Sequence, residues 1–78
     1  MTYEKWINQT NKEYSRQLEQ RKGQFYFNSL YWKNSELADK IAGSEYDPYY
    51  RDDRIDLFLV YVYLNWKNGE EGKNGTLG

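Results

Sequence analysis

Histidine and cysteine are both missing from this 78-residue chain, and proline and methionine occur once each. Without His the commonest general acid or base is gone, and without Cys so are thiolate nucleophiles, disulfides and the usual ligand sets of structural zinc. Catalysis is therefore not expected, nor is a metal or a cofactor. A long hydrophobic run is also lacking: the longest, Leu57–Leu64, includes Tyr61 and Tyr63 and falls far short of the roughly 20 residues that span a bilayer. The opening Met-Thr-Tyr-Glu-Lys-Trp carries charge at once and does not have the form of a secretory signal. A cytoplasmic location is the expectation, and under it the acceptor-like triplets Asn8-Gln9-Thr10 and Asn74-Gly75-Thr76 have no consequence.

Aromatic residues are present in excess, with nine Tyr, three Trp and three Phe making 19% of the sequence. A chain of this length is one modest domain, of the size that buries only about 60% of the surface it exposes when unfolded. Each buried aromatic ring removes roughly 150–250 Å² from water, so a few of them anchor a core that short aliphatic side chains could not. Net charge is −1, but its distribution is uneven. Residues 1–34 hold six basic and three acidic groups, and residues 35–78 hold five and nine. Such a dipole steers a partner or lets the two halves attract each other within the fold.

Periodicity predicts an all-α fold, a small bundle of about three helices with a Tyr-rich loop before the last. Trp6, Ile7, Tyr14, Leu18 and Phe25 have the spacing of one helix face. Thr2 is a candidate cap, and the Asn8–Asn11 stretch a candidate break, after which a helix runs over Asn11–Lys22. Gly23 then lies inside a continuation to about Lys33, as a point of close packing where Phe27, Leu30 and Tyr31 share a face. Ser35 as cap and Gly43 as terminator bound a short helix with Leu37, Ala38 and Ile41 on its apolar side. A loop follows from Ser44, in which Pro48 disfavours helix at Asp47 and Asp52 or Asp53 is placed to cap what comes next. Between about Arg54 and Lys67, Ile55, Phe58, Leu59, Val62 and Trp66 form a helical stripe. That helix is apolar most of the way round and is expected to be central. Residues 1–68 then form the domain, and 69–78 read as a flexible Gly-rich tail.

Two groups of residues are candidates for recognition. In the loop, Tyr46, Tyr49, Tyr50, Arg51, Asp53 and Arg54 are of the types enriched in binding hot spots or positioned among them. The same residues also suit ordinary turn, cap and ion-pair roles. At the N-terminal end Lys5, Lys12, Arg16, Arg21 and Lys22, near Tyr3, Trp6 and Tyr26, would present cations interleaved with aromatics to a nucleic acid. Glu13 and Glu19 on that segment and the slightly acidic chain weigh against it. Asp47, Asp52, Asp53 and Asp56 lack the alternation and central glycine of a calcium loop. A carboxylate pair for glycoside hydrolysis is allowed by composition, yet the chain leaves little room for a cleft between two acids. Exposed Trp or Tyr also stack on sugar rings, although core packing accounts for most aromatics in so small a chain. A homo-oligomer in which surface aromatics bury one another is a third possibility.

Gly23-Gln24, Phe27-Asn28, Leu30-Tyr31, Leu37-Ala38, Ile41, Gly43, Asp47-Pro48, Tyr50, Asp52, Arg54-Ile55, Phe58 and Trp66 together make a pattern over about residues 21–66. It resembles that of a group of small, largely uncharacterised proteins of tailed bacteriophages. The resemblance implies a phage-type accessory protein acting in an infected bacterium, where products of this size often bind and redirect a host protein. It carries no site residue with it.

Overall fold

Why the chain turns back on itself after its first helix is decided by side chains that staple a turn. A computed structural model describes residues 2–66, and among these the backbone forms four α-helices and one 3₁₀ turn, with no strand. Helix α1 spans Tyr3–Tyr14, capped by the Thr2 hydroxyl, which accepts from the Lys5 N–H at 3.2 Å. It runs without interruption through Asn8–Asn11, so the break expected there is corrected. These short polar residues compete with the backbone only when nothing else engages them. Here Thr10, 1% exposed, shares a 2.7 Å hydrogen bond with Ser29, and the Asn11 side-chain oxygen accepts from the Tyr26 hydroxyl.

The helix ends instead at Ser15–Arg21. The Ser15 hydroxyl donates to the Lys12 carbonyl at 2.7 Å, and the Gln17 side-chain oxygen accepts from the N–H groups of Glu19 and Gln20 at 3.0 and 2.9 Å. Leu18, expected on the apolar stripe, stands 98% exposed in this connector. Helix α2, Lys22–Lys33, then returns antiparallel to α1, as the ring contact Tyr14–Phe25 and the bonds Asn11–Tyr26 and Trp6–Ser29 require.

Gly23 does pack closely, but in the first turn of α2 and not inside one long helix. A Cβ at that position would run into the Pro48 carbonyl oxygen and lie 2.8 Å from Asp52 Oδ1. Helix α3, Ser35–Ile41, is capped by Asn34, one residue before the Ser35 expected, through the Leu37 N–H at 3.2 Å. It stops as expected at Gly43, whose φ of +81° is left-handed backbone that favours glycine. On α2, Leu30 is fully buried and Phe27 nearly so, but the third position expected on that face, Tyr31, is exposed and Tyr26 is buried in its place.

Helix α4, Ile55–Asn65, follows a 3₁₀ turn at Asp52–Arg54. Neither Asp52 nor Asp53 caps it, contrary to expectation, and the Asp52 carboxylate accepts the Gly23 N–H at 2.9 Å instead. Ile55, Phe58, Val62 and Trp66 are buried as the stripe predicts. Trp6 stacks on Trp66 at 5.5 Å between centroids and meets Phe58 edge-on at 6.4 Å, while Phe27 meets Phe58 at 6.5 Å. The helix is not central: Leu57, Val60, Tyr63 and Leu64 are 49–65% exposed. Three short helices cover one side of a fourth and have nothing left for the other. No helix among the described residues is long and apolar enough to cross a membrane, and the expected tail at 69–78 lies outside the described residues.

Candidate functional site

The Tyr46–Arg54 loop is held by its own side chains and by its neighbours. The Asp47 carboxylate accepts from the Gly43 N–H at 2.7 Å and the Tyr49 N–H at 2.9 Å, closing the turn around buried Pro48. Tyr49 is half-buried with its ring edge-on to Phe27 at 5.9 Å, and its hydroxyl accepts from the Gln24 amide at 3.1 Å. Arg51 donates twice to Asp53, at 3.1 and 2.9 Å, a pairing that holds the Asp53 carboxyl below the usual carboxylate range. Arg54 donates to the Glu45 carbonyl. Tyr50, 80% exposed, is the loop ring most open to solvent, and Tyr46 lies against Tyr61 of α4 at 4.7 Å.

The five cations are divided among the elements and not gathered on one helix face. Lys5 and Lys12 border a shallow depression on α1 with Asn8 and Gln9. Arg16 lies in the connector, and Arg21 donates to Asp52 at 3.3 Å and to the Tyr49 carbonyl at 2.7 Å. Lys22 sits 5.7 Å above the Tyr26 ring. Trp6 and Tyr26, expected as stacking partners for bases, are 1% and 2% exposed and belong to the core. Burial also raises the Tyr26 phenol above its ordinary pKa, with Tyr14 adding to the effect. The aspartates diverge as well: Asp47, Asp52 and Asp53 each bond a different part of the loop or helix, and no group of metal-holding side chains occurs among the described residues.

A further exposed apolar surface lies on the solvent face of α4. Leu57, Val60 and Leu64 follow one another at helical spacing and stand 49%, 57% and 65% exposed. Tyrosine pairs border this strip on both sides. Tyr61 rests on Tyr46 of the loop, and Tyr63 meets Tyr3 of α1 edge-on at 5.3 Å. The Tyr3 phenol is raised by burial first, then by Glu4 and Tyr63. Asp56 is the one charged side chain within Ile55–Asn65, and it makes no ion pair among the described residues. An apolar centre with an amphipathic aromatic border is the anatomy of a contact surface.

The sequence reading took residues 55–66, apolar most of the way round, as a central helix, and so did not single out this face. No family model matches the chain, and comparison with curated proteins and with solved structures finds no match.

Proposed function

We propose that this protein acts by non-catalytic association with another protein, through the solvent face of α4. The observation that carries the reading is the exposure of Leu57, Val60 and Leu64 in one helical strip framed by tyrosines. Leaving such side chains in water forgoes roughly 25 cal/mol for each Å² of apolar surface, a cost that burial against a partner recovers. The occupant is an amphipathic helix with a basic residue beside its apolar seam. Asp56 is the one charged side chain within α4 and has no ion-pair partner among the described residues, whereas Asp52 and Asp53 just before the helix are paired with Arg21 and Arg51, so a cation placed against Asp56 complements the strip. A second copy of this chain would bring another Asp56 and no cation within its own α4. In the setting that the resemblance to tailed-phage proteins implies, the partner is a protein of the bacterial host, bound so as to modulate or inhibit it. The loop serves as support, with Tyr46 as part of the border.

The test compares wild type, Val60→Lys and Tyr50→Ala as baits in a nuclease-treated bacterial lysate, with cross-linking to locate the contacted segment. One stoichiometric protein should be retained by wild type and Tyr50→Ala, lost with Val60→Lys, and cross-linked through a basic amphipathic helix. Retention that survives Val60→Lys but fails with Tyr50→Ala would move the contact to the loop and overturn the assignment. Recovery of nucleic acid that disappears at moderate salt would do the same in favour of the Lys5, Lys12 and Arg16 surface. A dimeric mass by light scattering, reduced to monomer by Val60→Lys, would show that a second copy occupies the face.

A further inference from the structure

Trp32 is 85% exposed, whereas Trp6 and Trp66 are 1% and 6% exposed. It stands at the edge of a groove of about 360 Å³ between α1 and α2, within the range of roughly 300–1,000 Å³ typical of small-molecule sites. Gln9 and Glu13 line it from α1, Gln20 from the connector, and Phe25 and Asn28 join Trp32 from α2. We propose that this groove binds a neutral pyranose sugar, with the ring stacked on Trp32 and its hydroxyls held by the side-chain amides.

Two side-chain pairs lie along the groove. The Gln9 amide donates to Glu13 at 3.0 Å and the Asn28 amide donates to Gln20 at 3.3 Å. Each of those two donors keeps a second N–H and its own amide oxygen without a protein partner among the described residues. A planar amide offering a donor and an acceptor side by side suits adjacent hydroxyls, which each give and accept a hydrogen bond. Ser29, on the same wall, is already engaged by Trp6 and Thr10, so that wall is tied to the core.

The charge of the groove narrows the ligand class. Glu13 and Lys33 both line it, so the lining carries no net charge and draws neither anions nor cations as a class, and the amides and the aromatic ring favour a hydroxyl-rich molecule. The apolar face of a pyranose matches an aromatic ring that the fold leaves in water. The site is on the α1/α2 side and independent of the α4 strip.

The test is titration of the full chain with neutral tetrasaccharides of β-linked glucose, α-linked glucose and β-linked N-acetylglucosamine. It is read by tryptophan fluorescence, acrylamide quenching, and NMR shifts of the Gln9 and Asn28 side-chain amides. At least one sugar should give saturable shifts and shield Trp32 from acrylamide. Trp32→Ala should weaken binding about tenfold, Asn28→Ala should weaken it with Trp32 still exposed, and Val60→Lys should leave it unchanged. No saturable response to any of the three sugars would overturn the proposal, as would binding that Trp32→Ala does not alter. Tighter saturable binding of a nucleoside or a free amino acid to the same amides would overturn the ligand class.

Discussion

Gly23 and Asp52 join two segments that lie 29 residues apart. Arg21, at the cap position of α2, supplies no capping bond of its own, and the carboxylate of Asp52 takes that role by accepting the Gly23 N–H. An acceptor at a helix N-terminus contributes about 0.5–2 kcal/mol, and a carboxylate gains further from the helix dipole. The Pro48 carbonyl occupies the space a side chain at position 23 would need. Gly23→Ala should therefore lower stability by about 1–3 kcal/mol through overpacking, against the roughly 1 kcal/mol that Ala ordinarily adds within a helix. Asp52→Ala should cost about 1–2 kcal/mol. Urea denaturation of both variants checks this, and a Gly23→Ala midpoint at or above that of wild type would show that the loop does not press on α2.

The helical hairpin α1–α2 depends on a few polar contacts more than on its most conspicuous apolar residue. Ser29 accepts from Trp6 Nε1 at 3.0 Å and shares a bond with Thr10, so it satisfies two polar groups that are 1% exposed. Ser29→Ala would leave both without a partner, at about 1–3 kcal/mol for the buried donor. Leu18→Ala, by contrast, should stay within about 0.5 kcal/mol of wild type, because its side chain already lies in water. Thermal melts followed by circular dichroism distinguish the two. A drop for Leu18→Ala as large as that for Ser29→Ala would mean that the connector packs in solution.

Across the whole molecule, α4 is both spine and surface. Its inner side joins the rings of Trp6, Phe27 and Trp66 into one cluster, and its outer side is the strip assigned to a partner. The two raised phenols belong to the core side: Tyr26 is buried between the first two helices, and Tyr3 contacts Trp6, Tyr63 and Trp66. Both hold their protons above the pH at which an unfolded tyrosine loses its own, about 10. The unfolded chain then binds fewer protons than the folded one, so stability is complete below about pH 10 and declines as pH rises toward the raised values. Urea midpoints measured from about pH 8 to 11 should show that fall, and it should be shallower in Tyr3→Phe/Tyr26→Phe. An equal slope in the double variant would assign the alkaline loss to other groups.

Local information was sufficient for much of this fold. The 3.6-residue period, the Thr2 cap, the Gly43 stop and the buried stripe Ile55, Phe58, Val62, Trp66 are set by residues within a few positions of one another. They are legible in the chain for that reason. The site was less so. Tyr49, Arg51, Asp53 and Arg54 look like recognition residues in sequence; the fold sets Tyr49 against Phe27 and gives Arg54 the Glu45 carbonyl, while Arg51 and Asp53 pair with each other at the surface. Whether Asn11 breaks a helix or accepts a bond from Tyr26, and whether Asp52 caps the next helix or one 29 residues earlier, depends on which partner arrives. Those pairings, and which side of the largely apolar α4 is left in water, were settled only by packing. Four short helices have too little surface to enclose one of their own number, and a sequence window does not contain that area limit.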